Sequence, residues 1–270
     1  MSKVLLEMKD IKKVYKNGTV GLNKIDISIR EGEFIAIIGP SGAGKSTFLR
    51  CINMLHHPTS GEIFYEGKDI TKLKESKLRK IRGTMGMVFQ NYNLVTRVSV
   101  IENVLHGCLN RMSVIDGILG KYTGKDKEKA LELLEEMGLE EKANNRADEL
   151  SGGQQQRVGI CRALEQEPKL ILADEPIASL DPKSSEIVMD SLKKSCQKRG
   201  ISCIVNLHQV EVAKKYATRI IGMRKGNIVF DGSPDELTDQ ILEDIYHVED
   251  DMEKRRRENQ KVNIPSEKIA

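Results

Sequence analysis

Tryptophan is absent from this 270-residue chain, and Phe, Tyr and Trp together make up 4% of it. With so few aromatics, a base-stacking platform for nucleic acid has little to be built from. Charge of one sign is also lacking: 43 Lys and Arg against 40 Asp and Glu leave a formal net charge of +3. No strong field for nucleic acid results, and no nucleic-acid partner is expected. Five cysteines, Cys51, Cys108, Cys161, Cys196 and Cys203, are scattered and never spaced C-x-x-C. That pattern suggests neither a disulfide framework nor a zinc site; it fits a reducing compartment, with each thiol a small buried hydrophobe. No apolar run nears the roughly 18 residues of a membrane span. The first seven residues hold too few apolar side chains for a signal peptide. The chain is therefore expected to be soluble by itself, meeting a membrane only through a partner. Internal repeats and low-complexity linkers are missing too.

What is present is organised around Ile35-Ala36-Ile37-Ile38-Gly39-Pro40-Ser41-Gly42-Ala43-Gly44-Lys45-Ser46-Thr47. An apolar run turns on glycines and ends in a lysine and two hydroxyls: a buried strand, a tight loop and the first turn of a helix. From Gly39 to Ser46 the spacing is G-x-x-x-x-G-K-[ST], the P-loop pattern. Glycines at 39, 42 and 44 let successive backbone N–H groups turn inward and form a concave anion site. The helix that follows adds unpaired N–H groups and its positive dipole end. Lys45 supplies a mobile charge for β- and γ-phosphates, and Ser46 a hydroxyl for Mg²⁺. A glycine-rich turn that merely packs closely would not need the lysine and hydroxyl as well. The chain is expected to bind a nucleoside triphosphate.

Around this loop the pattern reads as α/β. Strands are expected at residues 4–8 and 22–29, the second alternating with period two as in an antiparallel, half-exposed sheet. Further strands are expected at 34–38, 62–65, 84–89, 169–173, 202–206, 219–223 and 228–230. Helices are expected at 45–54, 75–82, 100–110, 125–137, from Ser151 onward, and 182–199. Alternation of strands and helices implies a mainly parallel sheet. Between about 91 and 150 helical patterns dominate, suggesting a helical subdomain inserted into one domain that spans residues 1–247. Residues 248–270 carry acidic residues followed by Lys254-Arg255-Arg256-Arg257, and are expected to be a solvated, flexible tail rather than a lipid patch.

Two more stretches carry chemistry. Leu170-Ile171-Leu172-Ala173 is an apolar strand that ends in adjacent carboxylates, Asp174 and Glu175. Ligands of a parallel sheet sit at the carboxyl ends of its strands, where the P-loop also lies. Asp174 can hold Mg²⁺ there, and Glu175 can face an attacking water as general base. The second stretch is Leu150-Ser151-Gly152-Gly153-Gln154. Ser151 suits a helix N-cap, and the glycines expose N–H groups at the helix start.

With these motifs in this order, the chain resembles the nucleotide-binding domain of an ATP-binding-cassette (ABC) transporter over nearly its whole length. The resemblance implies a P-loop NTPase core with an N-terminal antiparallel β subdomain and an inserted α-helical subdomain. It implies ATP and Mg²⁺ as ligands and hydrolysis coupled to transport. Tyr15 resembles the aromatic that stacks on adenine. Gln90 resembles the glutamine that touches Mg²⁺ and the attacking water, and His208 the histidine that contacts the γ-phosphate. Ser179-Leu180-Asp181 resembles a loop that crosses a dimer interface. Two copies would pair head-to-tail, each ATP lying between one P-loop and the other copy's residues 151–154. Gly159 and Cys161 depart from the family's small alanines in that helix.

The chain carries no fused membrane domain, so it resembles importer ATPases that dock on separate transmembrane permease subunits at the cytoplasmic face, fed by a solute-binding protein. The run from Asp174 to Pro182, with Val205-Asn206-Leu207-His208-Gln209 and Ile228-Val229-Phe230-Asp231-Gly232, looks most like the phosphonate-importer ATPases. A related importer ATPase for amino acids, methionine or another small anion is the near alternative. A soluble ABC ATPase acting on ribosomes or nucleic acid is the alternative from another class; one P-loop, one signature and no basic aromatic surface speak against it.

Overall fold

The computed structural model describes residues 3–246. In chain order they form β1 (Val4–Val14), β2 (Val20–Arg30), β3 (Phe34–Ile38), α1 (Lys45–Ile52), β4 (Ser60–Tyr65) and β5 (Lys68–Asp69). Next come α2 (Glu75–Arg82), β6 (Met85–Val88), α3 (Val100–Leu105), α4 (Val114–Ile118), α5 (Gly124–Glu136) and α6 (Gly152–Glu165). The last are β7 (Leu170–Asp174), α7 (Pro182–Arg199), β8 (Ser202–Asn206), α8 (Val210–Tyr216), β9 (Arg219–Arg224), β10 (Asn227–Gly232) and α9 (Asp239–Tyr246). The charged tail expected at 248–270 lies outside the described residues.

The six-stranded sheet has the order β10-β9-β3-β8-β7-β6, and its pairs are parallel except β9 with β10. Every residue of β3, β7 and β8 is buried, as expected of strands covered on both faces. Alternation divides their side chains between two cores. Phe34, Ala36, Ile38, Ile171, Ala173, Cys203 and Val205 face a layer of helices that includes α3, α5, α6 and α7. Ile35, Ile37, Leu170, Leu172 and Ile204 face α1 and the antiparallel sheet β2-β1-β4-β5. A one-residue slip of any central strand would exchange the two sets.

Most elements fall where the pattern puts them, and the departures have local causes. β1 runs past Met8 because Asp10 adopts φ 49° and its N–H donates to Asp26 Oδ1 at 2.8 Å. That irregularity lets both Met8 and Ile11 face the core, so the alternation breaks without ending the strand. α1 stops at Ile52, with Met54 in the left-handed region. The helix expected at 100–110 tightens after Leu105 into a 3₁₀ turn, His106–Asn110. α8 and α9 were not evident from the pattern, each being barely two turns long. The apolar, glycine-punctuated stretch around α4 is largely uncovered: Val114, Ile115 and Ile118 are 77%, 70% and 79% exposed.

Inside α6, Cys161 is fully buried and its thiol lies 3.3 Å from Leu133 O. A methyl at Gly159 would meet only Tyr92 O, at an ordinary 3.7 Å. Helix propensity therefore decides the outcome of filling that site. Gly159→Ala is expected to stabilise the fold by about 0.5–1 kcal/mol. Thermal unfolding should rise by roughly 1–2 °C; a lower midpoint would mean that the methyl does not fit.

Candidate functional site

The phosphate-loop segment leaves β3 at Gly39, where φ is 145° and an added Cβ would sit 2.2 Å from Met223 O. At Gly44, the residue that starts α1, φ is 106° and an added Cβ would lie 2.4 Å from Gly21 O. No other residue type fits either place. Pro40 is half-buried, whereas Ser41 and Gly42 are exposed at the loop's crest. Lys45 is 5% exposed, and its Nζ donates to Gly39 O at 2.8 Å and Pro40 O at 3.2 Å. The ammonium thus lies curled inside the loop. Burial holds its pKa below the usual lysine value, with the charges of Glu175 and Asp174 opposing that shift.

A cleft of about 300 Å³ is lined by residues 41–47, by Thr19, Val20 and Gly21, and by Tyr15 and Glu175. The sheet order explains the assembly, because β8 lies between β3 and β7 and their carboxyl ends share one edge. Ser46 Oγ donates to Asp174 Oδ1 at 2.8 Å, joining α1 to the end of β7. Asn206, the register partner of Asp174 on β8, donates Nδ2 to the same oxygen at 2.8 Å. Arg50 Nη2 stands 3.6 Å from the other carboxylate oxygen. A hydroxyl and a carboxylate oxygen in contact are hard donors of the kind Mg²⁺ accepts, so these residues fit that ion.

Glu175 takes φ 52°, in the left-handed region, and its Oε1 lies 2.6 Å from His208 Nε2. His208 is the more exposed of the two, 43% against 18% for the side chains. Gln90 is exposed, two residues past the end of β6, which pairs with β7. Neither Gln90 nor His208 lines the cleft itself.

Tyr15 is half-buried in the cleft wall, its hydroxyl 2.9 Å from Thr47 Oγ1. The two hydroxyls after Lys45 therefore face different ways, Ser46 toward Asp174 and Thr47 toward Tyr15. Ser151 caps α6 in a reciprocal box: its side chain accepts from Gln154 N, and its own N–H donates to Gln154 Oε1 at 2.9 Å. The paired glycines have a packing reason too. An added Cβ at Gly152 would lie 2.6 Å from Tyr92 Oη, and one at Gly153 would lie 3.1 Å from Ser184 Cβ. Asp181 caps α7 by accepting from Ser184 N at 3.0 Å; the Ser184 side chain, and then this backbone bond, lower its pKa. Among the described residues, neither 151–154 nor Asp181 lines the cleft.

Two members of the site carry no motif, Asn206 and Arg50. Asn206 had one legible signal, a polar residue closing an otherwise buried strand; Arg50 had none.

With this geometry, comparison with known proteins is specific. The model of the ABC transporter family matches residues 22–178. The chain is 59% identical over 243 residues to the phosphonates import ATP-binding protein PhnC 2 of Halalkalibacterium halodurans, covering 90% of this chain and 100% of that one. It is 56% identical over 239 residues to the phosphonates import ATP-binding protein PhnC of Treponema denticola, covering 88% and 93%. Among solved structures, it is similar to the dimeric post-hydrolysis state of the ATP-binding cassette MJ0796 bound to ADP and Pi. That likeness has a TM-score of 0.73 at 37% identity, over 85% of this chain and 99% of that one. CbiO1 of Clostridium perfringens, part of the ABC transporter complex cbiONQ, gives a TM-score of 0.76 at 30% identity, covering 86% and 90%. The buried parallel sheet, the glycine loop at its edge and these likenesses agree: the chain belongs to the ABC transporter family.

Proposed function

We propose that this chain is the ATP-hydrolysing subunit of an importer, and that the imported solute is a phosphonate. The observation that carries the hydrolytic part is the presence of Glu175 in the wall of the phosphate-loop cleft. The solute assignment rests on the two phosphonate-import relatives, each matched over nearly its full length.

In this reading the backbone N–H groups of residues 39–47 cradle the phosphates of ATP, and Lys45 exchanges its carbonyl partners for β- and γ-phosphate oxygens. Tyr15 stacks on the base. Ser46 and Asp174 would hold Mg²⁺, with Gln90 as a further ligand from beyond the end of β6; bound there, the ion would supply positive charge to neutralise the phosphate oxygens. Glu175 accepts the proton of the attacking water, and His208 keeps its carboxylate aimed and reaches the γ-phosphate. Positioning and electrostatics then carry most of the rate.

Ser151, Gly152, Gly153 and Gln154 lie outside the cleft although their helix start suits an anion. The economical arrangement is a two-fold pair in which each copy's 151–154 closes the other's cleft, with Asp181 at the crossing. The dimeric cassette among the similar structures supports it. The pair works at the cytoplasmic face beneath permease subunits, which receive the solute from a binding protein. Among the described residues no helix is long and apolar enough to cross a membrane, which fits peripheral attachment. Residues 1–247 act as one domain, with 91–150 as the arm that relays closure through Gln90.

Glu175→Gln is expected to lower ATP turnover by about 10²–10⁴-fold while leaving the fold intact. With Mg-ATP it should elute from a sizing column as a dimer. Full turnover, or no ATP-dependent dimer under any condition, would sink the reading. Reconstituted with its permease and binding protein, the wild-type chain should show ATPase stimulated by phosphonates. Stimulation by an amino acid alone would overturn the solute assignment and leave the hydrolytic one standing.

A further inference from the structure

His56 lies just beyond α1 and belongs to none of the motifs above. Its Nδ1 is 3.0 Å from Tyr15 Oη, and the two rings meet edge to face, at 88° with centroids 5.6 Å apart. The same phenol oxygen contacts Thr47 Oγ1 at 2.9 Å. Along its edge the Tyr15 ring packs so closely on Gly21 that an added Cβ there would be 2.8 Å from Cε2. The Lys13 ammonium stands 5.5 Å from the ring centroid. Tyr15 is thus held at its tip, along one edge and by a cation.

The surroundings favour an uncharged hydrogen-bonded chain. Burial, with the charges of Arg50 and Lys13, holds the His56 pKa below the usual histidine value, which favours the neutral imidazole. A neutral ring has one lone-pair nitrogen, and Tyr15 O–H can donate to it at Nδ1. The phenol oxygen is then free to accept from the Thr47 hydroxyl. The chain can run from Thr47 to Tyr15 to His56, or in reverse when the imidazole carries its proton on Nδ1; either direction pairs all three groups. Since Thr47 follows Lys45 and Ser46 in the loop, the base side and the phosphate side of the cleft share one hydrogen-bonded chain.

We propose that His56 is a positioning residue for the nucleotide base, fixing the tip of Tyr15 so that its ring stands preset in the cleft wall. The proposal rests on the reading of Tyr15 as the base platform. A tyrosine already ordered has less rotamer freedom left to lose on binding, so the gain falls on affinity for ligands that carry a base.

The test is made on the full chain, with binding of Mg-ATP and of inorganic tripolyphosphate, which has no base, measured by calorimetry. His56→Ala is expected to weaken ATP by about two- to tenfold, the worth of one net hydrogen bond. Tripolyphosphate affinity should not change, and KM should rise with kcat unchanged. Tyr15→Phe should give the same loss, and the double variant no more than either. His56→Gln should recover most of the affinity, since its amide oxygen can accept. Equal losses for both ligands would assign His56 a structural role in the loop and overturn the proposal, as would additive losses in the double variant. Tyr15→Ala separates the two readings. Should it leave ATP affinity intact, the base platform fails and the proposal with it. Should it weaken ATP while His56→Ala does not, the positioning role alone fails.

Discussion

One carboxylate oxygen joins the parts of this site. Asp174 Oδ1 takes hydrogen bonds from Ser46 at the start of α1 and from Asn206 at the end of β8. Those residues are 128 and 32 positions away in the chain, so no local preference brings them together. What does so is the register of the central sheet. β3 and β7 each pair in parallel with β8, and Asp174 lies opposite Asn206. Both side chains are buried at a strand end, where an unpaired carboxylate or amide would cost far more than these bonds return. The polar cluster therefore exists because the apolar strands beneath it hold their register.

That register is enforced from both faces. Large side chains alternate between the helical core and the core shared with the antiparallel sheet, so a strand cannot slip without burying its neighbours on the wrong side. Gly39 and Gly44 then fix the loop to the same frame. Each approaches a backbone carbonyl too closely for any side chain, one at Met223 of β9 and the other at Gly21 of β2. The loop is held between the two sheets before any phosphate arrives, with the Lys45 ammonium occupying its centre. Preorganisation of this kind is what electrostatic catalysis requires.

The parts legible in the sequence are those whose physics is local or strongly periodic. The glycine-lysine loop, the apolar runs within β7 and β8, and the cap of α6 declare themselves through residue type and spacing. Irregular geometry does not. The bend at Asp10 that extends β1, the 3₁₀ tightening after Leu105, and the two-turn helices α8 and α9 depend on tertiary neighbours that override weak local signals. The paired glycines after Ser151 are instructive because they read as an anion site, while the structure adds a packing need for each, against Tyr92 and Ser184. Arg50 gives no sign in the sequence and Asn206 only a faint one, for a different reason: their meaning is the Asp174 carboxylate opposite them.

Glu175 shows how backbone and chemistry meet. In an extended strand Asp174 and Glu175 would point to opposite faces of the sheet, and only one could address the loop. Instead Glu175 adopts φ 52°, a conformation that costs a non-glycine residue on the order of 1 kcal/mol or more. The sharp turn re-aims its carboxylate into the cleft wall while Asp174 keeps its contact with Ser46. The contact with His208 and the buried strand behind it oppose relaxation of that turn. Two adjacent carboxylates thereby acquire different neighbours, one tied among hydroxyl and amide donors, the other in the cleft wall beside an imidazole. The division of labour proposed for them, one holding the ion and the other accepting a proton, would follow from that single left-handed residue.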